Sequence, residues 1–281
     1  MRAKVGRAVV SWAILSPLVL LTVFPFAVML STALKPTADV LAYPPDWLPS
    51  RLAWHNIADM WVAAGFGVAL LNSIVISVLA TLLCLLIATP AAYAMARLPL
   101  PARGAYRQFL LITQMLSPIL LVLGLFRLAA LIPWGDGTLV DTRISVIIVY
   151  AAFNIAFAAW MLSSYFRTIP PDLEEAAWID GCGRFGAAWR VFLPVAAPAL
   201  AVTSIVTFVA CWNEFTVALT LLRDPSRLTL TLRVVNLVAG RYTVEWNQVM
   251  AAALLATLPV ALVFAGLQRW LIGGLTLGAV K

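Results

Sequence analysis

Residues 8–34 read AVVSWAILSPLVLLTVFPFAVMLSTAL, and no charged side chain stands between Arg7 and Lys35. An α-helix needs about 20 apolar residues to cross the hydrocarbon of a bilayer, and this run exceeds that length. The basic residues ahead of it, Arg2, Lys4 and Arg7, would also suit a secretory leader. The apolar run is too long for a leader's core, however, and no small-residue cleavage site follows it. The stretch reads as a retained first transmembrane span.

Composition extends that reading to the whole chain. Of its 281 residues, 63% are hydrophobic and 11% charged, and the mean hydropathy is +0.97. Soluble domains are nearer 45–50% apolar and about 25% charged, and none has interior enough to hide so much apolar surface. The formal net charge of +7 is carried mostly by residues flanking apolar runs, where it suits lipid headgroups and topology rather than nucleic acid. Cys84, Cys182 and Cys211 stand far apart with no CxxC and no neighbouring His, so neither a disulfide framework nor a metal site is expected.

Six spans are expected, near 8–34, 66–96, 108–126, 144–166, 195–222 and 248–268. Between a tail at 1–7 and a tail at 269–281, residues 8–268 form one transmembrane domain. The runs lack the two-residue alternation of a membrane barrel, so the fold class is an all-α integral membrane protein, a six-transmembrane-helix bundle. Lys and Arg near span ends set orientation. The loop 97–107 holds Arg97, Arg103 and Arg107 without an acid, whereas the longer loop 35–65 holds only Lys35 and Arg51. Both termini are therefore expected in the cytoplasm, although Arg223, Arg227, Arg233 and Arg241 fall on the expected outer side. Prolines 17, 25, 90, 118, 198 and 259 fall inside spans. Hinges are one reading, and routine tolerance of proline by membrane helices is the other.

The cytoplasmic segment 167–194, RTIPPDLEEAAWIDGCGRFGAAWRVFLP, is written as two short helices. Pro170 and Pro171 stop the preceding span. Asp172 and Glu175 have the spacing of a capping box. Leu173, Ala176 and Ala177 form a small apolar face, and Gly181 suits a left-handed helix end. Docking onto another protein and lying along the membrane surface both fit such a segment.

Glu175-Ala176-Ala177, then Gly181 after three residues, then Val191-Phe192-Leu193-Pro194 after nine more, resembles the EAA loop of ABC importer permeases. The resemblance implies a type I importer fold in which this loop carries a cytoplasmic coupling helix seated in a groove of a separate ATPase. Glu175, Ala176, Ala177, Asp180 and Gly181 would be its contacts, while Cys182 and Ala188 depart from the family's usual Ala and Phe. Leu34-Lys35-Pro36, the run from Pro44 to Pro49, Asn72-Ser73, Trp212-Asn213-Glu214 and the tail from Gly274 to Lys281 resemble maltose-type carbohydrate permeases, specifically the smaller partner of a heterodimeric pair. The implied function is the permease subunit of a binding-protein-dependent carbohydrate importer in the bacterial plasma (inner) membrane. The implied partners are a second permease, a dimer of cytoplasmic ATPase subunits and an extracytoplasmic binding protein. ATP and Mg would belong to the ATPase, so this chain is expected to carry no cofactor and to be no enzyme. Glycerol 3-phosphate or another polyol phosphate is the alternative substrate. No span carries a central Arg or Lys to meet a phosphate, which favours a neutral sugar.

Other features weigh on this reading. Gly181 to Gly186 spells GxGxxG, but a helix precedes it where a dinucleotide site needs a strand, and no GxxxxGK[ST] occurs. His55 reads as a surface loop residue. Glu214, roughly 13 Å inward from Arg223 along a helix, reads either as a group on the substrate path or as an interhelical polar contact. Asn154 and Gln114 are similar cases. Trp212 and Trp160 offer faces for a sugar or anchors at the interface. Asn154, Trp212, Asn213 and Glu214 are the substrate-path candidates. An intramembrane enzyme would need paired catalytic groups, and a secondary carrier should show inverted repeats. Neither signal is found. A scaffold that binds the ATPase without transporting remains the third rival.

Overall fold

The structure, a computed structural model, describes residues 2–135, 137–239 and 243–277. Its helices in chain order are α1 (Arg2–Ala33), α2 (Thr37–Val40), α3 (His55–Ala63), α4 (Phe66–Arg97), α5 (Arg103–Thr113) and α6 (Pro118–Leu131), then α7 (Arg143–Phe166), α8 (Asp172–Ile179) and α9 (Arg184–Ala187). A π-helical turn (Ala188–Phe192) leads into α10 (Leu193–Val195), α11 (Ala197–Asn213), α12 (Thr216–Leu221), α13 (Leu230–Asn236) and α14 (Trp246–Leu277). Strand among the described residues is limited to the two-residue pair Pro133–Trp134 and Gly137–Thr138, so the all-α class holds. Among the described residues four helices are long and apolar enough to cross a bilayer, and counting each of two bent pairs as one span gives six.

Three of the expected spans coincide closely with α1, α4 and α7, and the last with α14. Two do not run as single helices. The run near 108–126 divides into α5 and α6, whose axes differ by 90°. Ser117 is extended (ψ 132°) and Pro118 opens α6 at its first turn, as expected where the residue before proline is steered out of the helical region. The run near 195–222 ends as helix at Asn213. Glu214 is extended (ψ 131°) before α12 begins. Upstream, the path bends by 71° between Arg184–Val195 and Ala197–Asn213, and Pro198 sits in the first turn of α11. Pro118 and Pro198 thus start helices, whereas Pro17, Pro25, Pro90 and Pro259 lie inside them. α1 begins at Arg2, within the expected tail, and α14 continues to Leu277. Arg241 and tail residues 278–281 lie outside the described residues.

The chain divides into two compact units, one of residues 1–67 with 233–258, the other of 68–232 with 259–281. In the first, the loop after α1 is pinned to that helix's end. Asn56 donates to the carbonyls of Ala33 (2.9 Å) and Lys35 (2.8 Å), satisfying acceptors that a helix C-terminus leaves open. Ser31 donates to the Trp47 carbonyl at 2.6 Å, and Lys35 to that of Asp46. His55 is exposed at the start of α3.

In the second unit, α7 packs against α5, α11 and α12. Ala80, Ala88, Ala92, Ala151 and Ala158 are almost wholly buried. Apolar side chains gain little by leaving lipid for protein, so membrane helices associate through close backbone approach, which small residues permit. Leu79, Leu82 and Leu86 of α4 remain exposed, as suits a lipid-facing stripe. Near one end of α4, Asn72 donates to the carbonyls of Ser226 (2.9 Å) and Leu228 (3.0 Å), and Ser73 accepts from the Leu230 amide at 2.7 Å. At its other end, Met95, Leu162, Phe166 and Phe192 share a buried cluster, and this end carries the site.

Candidate functional site

Helix α8 is stabilised at both ends by backbone rather than side-chain geometry. Its N-cap is Pro171 and makes no side-chain cap bond, so the expected capping box of Asp172 and Glu175 does not form. Instead Asp172, Glu174 and Glu175 all fall in the first turn, where carboxylates complement the helix dipole. At the far end the Gly181 amide reaches the Trp178 carbonyl at 3.0 Å and the Cys182 amide reaches that of Ala177 at 2.9 Å. This is a Schellman closure. Gly181 has φ +86°, which costs a side-chain-bearing residue about 1–2 kcal/mol. A Cβ there would meet nothing within 4 Å, so conformation rather than space selects glycine.

The two faces of α8 differ sharply. Glu175, Ala176, Asp180 and Gly181 are exposed, while Ala177 is buried. The structure therefore gathers four of the five expected contact residues on an open surface and turns the fifth inward. Beside them stand exposed apolar side chains: Ile179 at 86% exposure, Phe185 at 84% and Trp189 at 67%. The Arg184 guanidinium lies over the Trp178 ring at 6.0 Å. Exposed apolar surface rimmed by charge is the usual mark of an interaction site.

On the inner face, Glu174 is only 3% exposed. Its carboxylate pairs with Arg97 Nε at 2.6 Å and accepts from the Tyr93 hydroxyl at 2.6 Å. Arg97 also donates to the Ile169 carbonyl at 2.7 Å and lies 4.9 Å over the Phe192 ring. Tyr93 and Phe166 meet the same ring edge-on, at 5.1 and 4.9 Å between centroids. Tyr93 and Arg97, four residues apart, lie on one face of α4. These groups escaped the sequence reading. The signal available was a lone arginine closing an apolar helix and a doubled acid where one suffices for the motif. In the linker before α8, partial desolvation of the largely exposed Arg167 guanidinium and then repulsion from Arg107 and Arg103 draw it below its ordinary pKa.

The substrate-path candidates lie apart from this end. The Glu214 carboxylate accepts from the Val217 amide at 2.9 and 3.1 Å and from the Ala218 amide at 3.4 Å, capping α12. Its carbonyl accepts from the Tyr150 hydroxyl (3.1 Å) and the Thr231 hydroxyl (3.3 Å). Asn154 donates to the Tyr150 carbonyl at 2.8 Å and approaches Cys211 Sγ at 3.7 Å. Trp212 is buried and stacks on Phe208 at 5.7 Å, whereas Asn213 is exposed. Gln114 donates to the Phe153 carbonyl at 3.2 Å, and Trp160 contacts Phe157 at 5.9 Å.

Comparison with known proteins places these features in context. Residues 88–276 match the family model described as binding-protein-dependent transport system inner membrane component. The chain is 31% identical to the sulfoquinovosyl glycerol transport system permease protein of Agrobacterium fabrum, over 92% of this chain and 88% of that one. It is 32% identical to the trehalose transport system permease protein of Mycobacterium tuberculosis, over 98% and 99% respectively. Its fold resembles the crystal structure of a bacterial ABC transporter involved in the import of the acidic polysaccharide alginate, with TM-score 0.77 and 21% identity over 96% of this chain and 98% of that one. The surface helix between two apolar segments is thus the loop of a known architecture, and the chain belongs to the multi-pass inner membrane components of binding-protein-dependent transport systems, the permeases of ABC importers.

Proposed function

We propose that the chain is one half of the translocation pathway of an ATP-driven carbohydrate importer, and that α8 docks on a separate ATPase subunit. The exposed surface at 175–189 carries this reading. A helix closed at its far end by backbone hydrogen bonds presents Ile179 to water, with Phe185 beyond it, together with Glu175, Ala176, Asp180 and Gly181. Docking would remove that apolar area from water at about 25 cal/mol per Å². Closure of an ATPase dimer would then move the docked loop and tip the spans from inward-facing to outward-facing. An extracytoplasmic binding protein would release the sugar to the open side, and hydrolysis of ATP with Mg on the ATPase would reset the cycle. A second permease supplies the other half of the path, and both termini lie in the cytoplasm. Asn213 and Glu214, at the break between α11 and α12, with adjoining Trp212 and with Asn154, which approaches Cys211 Sγ at 3.7 Å, are the proposed path residues. Relatives named for sugar substrates support the carbohydrate class.

Affinity purification of the tagged chain in mild detergent tests the reading. The wild type should bring down a nucleotide-binding ATPase and a second permease. Ile179→Glu should keep the permease pair and lose ATPase recovery by roughly tenfold or more, as when a central interface anchor is removed. Isolation of the wild-type chain alone would overturn the importer reading. Hydrolysis by the complex with its binding protein is then read against trehalose and glycerol 3-phosphate. Stimulation by glycerol 3-phosphate alone would overturn the carbohydrate assignment.

A further inference from the structure

Five segments converge on one buried node beneath α8. Arg97 and Tyr93 come from the last turns of α4, Phe166 from the end of α7, and Ile169 from the linker to α8. Glu174 comes from α8 itself and Phe192 from the π-helical turn before α11. Every contact among them is short: 2.6 Å from Glu174 to Arg97 and to Tyr93, 2.7 Å from Arg97 to the Ile169 carbonyl, and aromatic edges within 5.1 Å of the Phe192 ring. The bracing is one-sided. Residues 180–183 beyond α8 are tied back to it by the backbone closure at Gly181, and neither end of the helix has a side-chain cap. Without Glu174, α8 would lose its charged ties to α4.

We infer that Glu174 is a positioning residue that fastens α8 to α4 through Arg97 and Tyr93, so that a displacement of α8 is delivered to the cytoplasmic half of α4. The inference rests on the proposed docking of α8 and adds to it the route by which the load enters a span. Glu174 takes no part in the docking surface, because its carboxylate is turned inward and is consumed by two partners. The neighbouring Glu175 faces outward, so the doubled acid divides the work: one residue for the partner, one for the frame. Physical evidence for such a route requires an element whose response both sites share, and the inference gives that role to α4.

Hydrogen–deuterium exchange on the complete complex tests this without knowledge of the transported sugar. Peptides covering 172–182 and 84–97 are followed without nucleotide and with ATP plus vanadate. In the wild type both regions should change uptake together. In Glu174→Gln and in Tyr93→Phe, the α8 peptide should still respond while the change over 84–97 falls roughly tenfold, the factor of one hydrogen bond to a charged group. Tyr93→Phe removes a single hydroxyl and decides the matter if Glu174→Gln does not assemble. An undiminished α4 response in Tyr93→Phe or Glu174→Gln, with α8 responding normally, overturns the inference. Absence of any α8 response in the wild-type complex would instead overturn the docking reading on which it rests.

Discussion

Glu174 and Glu175 are one residue and about 100° apart on the helix, and that angle divides their roles. Glu174 is buried with two charge-assisted partners, the Arg97 guanidinium and the Tyr93 hydroxyl. Removing one member of a buried pair leaves the other charge uncompensated, at a cost of about 3–5 kcal/mol. Glu174→Ala should therefore melt well below the wild type in detergent. Glu175→Ala, on an exposed face, should stay within about 0.5 kcal/mol while weakening ATPase recovery. Thermal unfolding followed by tryptophan fluorescence separates the two. Replacing both Glu174 and Arg97 with apolar residues of similar volume should recover most of the stability, since the cost lies in the orphaned charge. Equal melting of the two single variants would show that the pair does not hold α8.

At the scale of elements, the breaks matter more than the helices. α11 stops at Asn213 because Glu214 leaves the helical region and bends its own carboxylate onto the first free amides of α12. Loss of such a cap costs about 0.5–2 kcal/mol. Glu214→Ala should raise exchange of the Val217 amide, whereas Glu214→Gln keeps an acceptor and should protect it nearly as well. If Glu214→Gln abolishes transport with Val217 still protected, the carboxylate acts on substrate as well as on the helix. The helices themselves were legible in the sequence, because apolar length alone decides which segments lie in lipid, and α4 and α7 fall within a residue or so of their expected bounds. The breaks were not. Pro90 and Pro118 look alike locally, yet one lies inside a helix and the other opens one, since neighbouring helices decide whether a freed carbonyl can be satisfied. In the site, the loop and Gly181 could be read from spacing. The inward turn of Glu174 could not, because its partners, Tyr93 and Arg97, are about eighty positions away in the chain and only packing joins them.

For the whole molecule, three native cysteines give a test of which side each segment faces. Cys84 and Cys211 are buried among the spans, while Cys182 is partly exposed just beyond Gly181. A thiol shielded in apolar packing is inaccessible to a polar reagent, and a thiol at the aqueous surface is open to attack. A membrane-impermeant maleimide should therefore label Cys182 alone. On the proposed orientation, with both termini and the 167–194 loop in the cytoplasm, labelling should occur in inside-out vesicles stripped of peripheral subunits and fail in intact right-side-out cells. Adding back the copurified ATPase should protect the site, because Cys182 lies between Gly181 and Phe185 on the proposed docking face. Cys182→Ser should abolish the signal in every preparation, which assigns it to one position. Labelling from the outside would invert the orientation that the basic loops imply. Labelling of Cys182 from the cytoplasmic side without protection by the ATPase would leave the orientation standing and move the docking surface away from the end of α8. Topology and coupling are thus separated by one reagent, since the same residue reports the side of the membrane through access and the partner through shielding.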